Sequence, residues 1–345
     1  MEQKYLDYAL DVLENIVKIP SPTGFPHLAT AFLMDELKKI GYQPVKTAKG
    51  GVYVDLGGPE EGEALLLCCH VDTLGGMVAE VKENGRLKLS PLGLLSPNNT
   101  EGENVRIHTR SGKCYDGTFQ LLDPCYHVNP DFETTIRTFE GMEVVIDEKT
   151  ASPAETRALG IEVGDIVSFD PRFTVTESGY IKSRHLDDKL SSSILLAYAK
   201  ELKDKGLQPK RRVYIHFTVY EEIGHGASAF CPAGVTEVLS VDMGCVGRGI
   251  SCTERMVSIC AKDSSGPSSY EMVSKLVEAA KKGGVDYAID VYPFYVSDAD
   301  AVLIAGFDVR HAVIGSGVYA SHGYERSHIE GLVNTYELVR SYVER

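Results

Sequence analysis

Tryptophan is absent from all 345 residues. Carbohydrate clefts favour flat aromatic platforms, so this absence weighs against a polysaccharide binder. Long apolar runs are missing too. The longest, Ala64 to Cys69 and Ile194 to Ala199, fall far short of the roughly 20 residues that span a bilayer. Positive charge is scarce: 35 Lys and Arg stand against 49 Asp and Glu, a net charge of −14. That argues against a partner made of nucleic acid or an anionic membrane, because phosphates need cations to replace their counterions. The eight cysteines show no CxxC and no paired zinc-knuckle spacing, so free thiols in a reducing cytoplasm are the simplest account. The opening stretch MEQKYLDYALDVLENIV is an amphipathic pattern with acids in it, not a signal peptide, and a cytoplasmic protein is expected. Also absent are GxxxxGK[ST], GxGxxG after a strand, HExxH, GxSxG and any internal repeat.

What is present is an ordinary globular composition, 43% hydrophobic and 24% charged, long enough for about two domains. Residues 5–18 carry Leu6, Leu10, Leu13 and Val17 at helical spacing, and 27–40 carry Leu28, Phe32, Leu37 and Ile40, closed by Gly41. Strands are expected at 44–48, 51–56 and 64–69. From about 74 to 170 short β-type runs (77–81, 86–89, 105–109, 142–146, 166–169) alternate with Gly, Pro, Asn and Asp, the texture of a small barrel or sandwich, with one helical turn at 153–159. After 185 helices at 189–204, 269–282 and 327–343 alternate with strands at 212–219, 237–241, 256–262 and 309–314. This pattern predicts an α/β fold with a mainly parallel sheet flanked by helices, built from residues 1–72 and 172–345, with a β-barrel-like domain inserted at 73–171.

Chemistry-bearing residues recur at the ends of these strands. Strand 64–69 ends in His70-Val71-Asp72, strand 212–219 in Glu221-Glu222, and strand 237–241 in Asp242. A short run at 180–182 leads to Asp187-Asp188, and strand 309–314 leads to Ser321-His322. Taken singly, each has an ordinary structural explanation: a packed His, a solvated Glu-Glu turn, an N-cap Asp pair. Together they place two imidazoles and several carboxylates on one rim, where open α/β sheets bind ligands. Carboxylates so crowded repel one another unless a cation sits among them, and nitrogen and oxygen donors suit zinc, cobalt or manganese.

The ordered set His70-Val71-Asp72-Thr73-Leu74-Gly75, Asp187-Asp188-Lys189, Glu221-Glu222-Ile223-Gly224, Asp242 and His322 resembles the tetrahedral (TET) aminopeptidases, the metallopeptidase family of glutamyl and deblocking aminopeptidases within the co-catalytic zinc exopeptidases. The resemblance covers nearly the whole chain. It implies two divalent metal ions per subunit, zinc first and cobalt or manganese as substitutes. His70 would bind one metal, Asp187 would bridge both, Glu222 and Asp242 would bind one each, and His322 would complete the second site. Glu221 would be the general base, Asp72 would orient a ligand imidazole, and the Asp187–Asp188 peptide would be cis. The implied activity is hydrolysis of N-terminal residues from peptides. The implied assembly is a homo-oligomer, a tetrahedral dodecamer, with the β insert forming subunit contacts and walling the site. The sequence departs from the family after His322, after Glu222 and at 121–127, which concerns substrate preference rather than the metal set.

Three other readings compete: a related metal-dependent amidohydrolase, deacylase or carboxypeptidase; an assembly protein without activity; and a carboxylate-pair glycosidase that needs no metal. Between the two late histidines, His322 is the expected ligand because it follows a strand, whereas His328 falls at the start of the last helix as a surface or cap residue.

Overall fold

The computed structural model describes residues 1–60 and 62–344. It divides into two compact units, Met1–Asp72 with Arg172–Arg345, and Thr73–Pro171. The first unit opens with α1 (Gln3–Val17), α2 (His27–Ile40), β1 (Val45–Lys46), β2 (Val52–Gly57) and β3 (Ala64–His70). The second unit contains β4 (Gly75–Val81), β5 (Leu87–Leu92), β6 (Asn104–His108), β7 (Cys114–Leu121), β8 (Met142–Ile146), α3 (Pro153–Ala158) and β9 (Ile166–Phe169). The first unit resumes with β10 (Thr174–Val175), β11 (Tyr180–Ser183), α4 (Leu186–Lys205), β12 (Val213–Thr218), β13 (Val235–Val246) and β14 (Val257–Lys262). It closes with α5 (Tyr270–Gly283), β15 (Tyr287–Val291), α6 (Asp298–Ile304), β16 (Arg310–Tyr319), β17 (Glu325–His328) and α7 (Ile329–Val343).

The strands of the first unit form one sheet in the order β1-β2-β12-β3-β13-β16-β17-β11-β10, with β14 paired to β16 and β15 to β14. Its centre, β12-β3-β13-β16, is parallel, while β2 and β14 join it antiparallel. Every residue of β3 is buried, as a strand covered on both faces must be. α4 and α6 both pack against β3 and β13. The second unit is a closed antiparallel barrel, β4-β5-β8-β7-β6-β9, filled by Leu87, Ile107, Phe119, Val144 and Val167. Closure leaves no free strand edge in it.

Several elements differ from the sequence expectation for physical reasons. The buried face of α1 is Tyr5, Ala9, Val12 and Ile16 together with Leu13 and Val17, so Leu6 and Leu10 lie at its margin. The face of α2 is Ala29, Leu33 and Leu37, and Leu28 is exposed. Small alanines that let helices pack closely count for little in a hydrophobicity pattern. β13 and β16 run past 241 and 314 and stay paired through Val246 and Tyr319. Gly315 makes this possible, because a Cβ there would overlap the Asp242 carbonyl. Asp242 and its neighbour Gly315 are therefore inside strands rather than at their ends. The last helix starts at Ile329 because 325–328 pair as a strand with β11. β7, β15, α6 and β17 had no clear counterpart in the pattern.

Candidate functional site

Parallel β3 delivers His70 at its carboxyl end. Its Nδ1 lies 2.9 Å from the backbone oxygen of Asp72. A carbonyl only accepts, so Nδ1 carries the proton and Nε2 is the atom left to face the site. Nε2 stands 3.0 Å from Asp187 Oδ1 and 3.7 Å from Glu221 Oε2. An imidazole lone pair and a carboxylate oxygen approach that closely only with a second proton or a cation to share. His70, Asp187 and Asp242 each offer a ligand atom, and the three atoms lie within 4.8 Å of one another.

The other oxygen of Asp187 faces away from His70. Oδ2 accepts from Ser321 Oγ at 3.1 Å and lies 3.6 Å from His322 Nε2. His322 Nε2 is in turn 3.5 Å from Glu222 Oε2. Two donor clusters therefore share one carboxylate: His70, Asp242 and Asp187 on one side, His322, Glu222 and Asp187 on the other. The Asp187–Asp188 peptide is cis.

Electrostatics agree with the crowding. Burial and the nearby charge of Asp187 push the Asp242 carboxyl up to about 7. Burial pushes Glu221 and Glu222 well above the usual carboxylate range, with Asp242 and Asp187 adding to it in turn. For His70 burial alone would lower the pKa, but Glu221, Asp187 and Asp242 hold it well above the usual imidazole value. Burial likewise opposes ionisation of Asp187, yet its bond to His70 and the charges of His70 and His322 hold it low. A buried cluster with this much negative charge and two imidazoles is a chemical match for divalent cations.

The backbone is held in costly shapes around the cluster. Of the five described non-glycine residues with left-handed φ, four border it: His185 at 67°, Tyr220 at 70°, Ala320 at 57° and His322 at 64°. Each such residue costs about 1–3 kcal/mol and persists only where its surroundings over-determine it. Glu221 and Glu222 sit in a 3-10 turn, Glu221–Ile223, and not on the end of the strand itself.

Two residues beside the cluster take contacts with the backbone as well. Asp72 orients the His70 imidazole through its carbonyl. Its carboxylate Oδ1 lies 3.8 Å from the same Nδ1 and accepts from the Glu221 N–H at 3.2 Å, while Oδ2 accepts from Thr23 at 2.7 Å. Of the two places expected for His328, the helix cap is the one found, and the residue is buried. It caps α7, with Nδ1 accepting from the Glu330 N–H and Nε2 2.9 Å from the Ser178 oxygen. Sequence reasoning gave no role to Glu325, whose two oxygens accept the N–H groups of Asp187 and His322 at 3.1 and 3.2 Å. It also gave none to Asp188, which accepts from the His70 N–H at 3.1 Å. These are backbone contacts, which leave no mark in a residue pattern.

The fold and the chain's relatives define a peptide-bond hydrolase of the aminopeptidase class. A relative in Bacillus subtilis (strain 168), YhfE, provisionally named an aminopeptidase, is 41% identical over 335 residues, 97% of each chain. The solved TET aminopeptidase of a marine-sediment Thaumarchaeota archaeon superposes with a TM-score of 0.89, covering 98% of this chain and 96% of that one at 19% identity. The Pyrococcus horikoshii TET1 peptidase, described as assembling into a tetrahedron or a large octahedral shell, superposes at 0.86 over 97% and 99% with 22% identity. Residues 50–338 match the family described as M42 glutamyl aminopeptidase, and the chain belongs to that family.

Proposed function

We propose that this aminopeptidase is dinuclear. His70, Asp242 and Asp187 would hold one divalent cation, and Asp187, Glu222 and His322 the second. The observation that carries this is the division of Asp187, with Oδ1 3.0 Å from one imidazole and Oδ2 3.6 Å from the other. Zinc suits the nitrogen and oxygen donors, and cobalt or manganese would serve in its place. When bound, such a pair supplies Lewis-acid polarisation of the scissile carbonyl and a lowered pKa for the attacking water.

The residues of the chain do the rest. Glu221, beside the His70 imidazole, is the general base: it takes the proton of the water and returns it to the leaving amine. Asp72 fixes the turn that presents Glu221 by accepting its N–H. Ser321 and Glu325 hold Asp187 by side chain and backbone, so its carboxylate is fixed between the two clusters. The substrates are peptides with a free N-terminus. The subunits assemble into a homo-oligomer, for which the tetrahedral shell of the Pyrococcus horikoshii relative is the precedent.

The test is metal analysis of purified protein together with hydrolysis of an aminoacyl-amide panel before and after chelation. Two metals per chain and chelator-sensitive release of N-terminal residues are expected. Release of residues only from N-blocked peptides would favour a deacylase instead.

A further inference from the structure

Glu221 and Glu222 ride on a loop that leaves β12 at Thr218 and ends at Ala227. Internally it closes on itself through two backbone bonds, Gly224 N–H to the Glu221 oxygen at 2.6 Å and His225 N–H to the Tyr220 oxygen at 3.2 Å. Those bonds shape the loop but do not fix it to the body of the protein.

Asp72 ties the middle of the loop to the body through the Glu221 N–H, and its two ends are held by one side chain, Asp298, in the first turn of α6. It is 1% exposed. Its Oδ2 accepts from the Thr218 hydroxyl, where the loop begins. Its Oδ1 accepts from the Ala227 N–H at 2.7 Å, where the loop ends. The fit is close enough that a Cβ on Gly226 would overlap Asp298 Oδ1. Lys49 adds a second hold on the ending side, with Nζ donating to the Gly226 oxygen at 2.8 Å and to that of His225. α6 packs against β3 and β13, the strands that carry His70 and Asp242. A carboxylate on α6 thus ties the loop to the same framework that holds the other proposed ligands.

We propose that Asp298 is a further positioning residue for the Glu221–Glu222 pair beside Asp72, its two oxygens clamping the two ends of the loop that presents them. The proposal rests on the reading of Glu221 as base and Glu222 as metal ligand. Asp298 does not touch the reacting atoms. It sets the distance from Glu221 to the water it deprotonates and from Glu222 to its cation. A displacement of about 1 Å in such a group can cost about 10²-fold in rate.

The test compares Asp298→Ala, Asp298→Asn, Thr218→Val and Gly226→Ala with wild type. Zinc is titrated into each metal-free protein by calorimetry, and kcat and KM are measured on the best aminoacyl amide. Asp298→Ala is expected to bind one of its two zinc ions about 10-fold or more weaker and to lose about 10-fold or more in kcat with little change in KM. Asp298→Asn keeps an acceptor for Ala227 and offers its amide to the Thr218 oxygen, so it should recover to within about 3-fold of wild type. Gly226→Ala drives a methyl into the clamp and should resemble Asp298→Ala. Thr218→Val removes one of the two bonds at nearly constant shape and should show a smaller loss of the same kind. If Asp298→Ala does not fold, Thr218→Val and Gly226→Ala decide the matter. Wild-type zinc affinity and kcat in folded Asp298→Ala, or in both of those variants, overturns the clamp alone. A wild-type protein that neither binds zinc nor hydrolyses the amide overturns the functional reading, and the clamp with it.

Discussion

Asp72 Oδ1 accepts the backbone N–H of Glu221 at 3.2 Å, so the residue two positions after His70 also fixes the proposed base. The same residue meets His70 Nδ1 through its carbonyl at 2.9 Å. One short segment after β3 therefore sets both the tautomer of an imidazole and the position of a carboxylate from β12's loop. Asp72→Ala should keep the fold and lower kcat about 10- to 100-fold, the usual effect of removing a partner one step behind a metal site. Steady-state kinetics on a folded variant checks this, and unchanged kcat would remove Asp72 from the machinery.

The two late histidines should separate cleanly. His322 stands 3.5 Å from Glu222 and 3.6 Å from Asp187, whereas His328 caps α7 and contacts Tyr180 edge-on. His322→Ala should retain one metal of two and nearly no activity. His328→Ala should keep both metals and lose about 1 kcal/mol of stability, as for other lost caps. Metal stoichiometry on the two variants is the measurement, and the opposite pattern would reverse the assignment.

Acid stability should depend on Glu237, which is fully buried. It accepts from Arg211 at 2.5 Å, Tyr342 at 2.9 Å and Lys275 at 3.1 Å. Burial alone would raise its pKa, but the Arg211 bond and charge bring it down to about 2 from an ordinary 4.5. A depressed folded pKa adds stability above about pH 4.5 that is lost as pH falls toward 2. Glu237→Gln should be less stable at neutral pH by about 3 kcal/mol or more, and its urea midpoint should fall less steeply over that acid window. An acid limb as steep as in wild type would show that other carboxylates set it.

Assembly is the fourth expectation. Light scattering in the presence of metal should give a homo-oligomer of twelve chains for the wild type, and deletion of the insert should reduce the particle size. A stable wild-type monomer would contradict it.

The parts of this molecule that were legible in sequence were those written in side-chain chemistry. ALLLCC announced a strand buried on both faces, and β3 is one. The run from Met142 to Ile146 and that from Ile166 to Phe169 are barrel strands with those limits. His70, Asp187, Glu221, Glu222, Asp242 and His322 could be picked out because acids and imidazoles following expected strands are rare in combination. What was illegible depends on partners distant in the chain. Asp298 is separated from Thr218 by 80 residues, and α6 is only seven residues long, too short for a periodic pattern. β17 consists of Glu325, Arg326, Ser327 and His328, polar residues that pair as a strand only because β11 is beside them. Glu325 acts on N–H groups, and backbone donors look alike in every sequence.

Turnover of Glu221→Gln at measured metal content bears at once on the two-metal site and on Glu221 as its base. Glutamine keeps the shape and removes the proton acceptor. Two metals per chain, as in wild type, are expected, with kcat lower by about 10²-fold or more. Turnover near the wild-type rate with both metals bound would contradict Glu221 as the base.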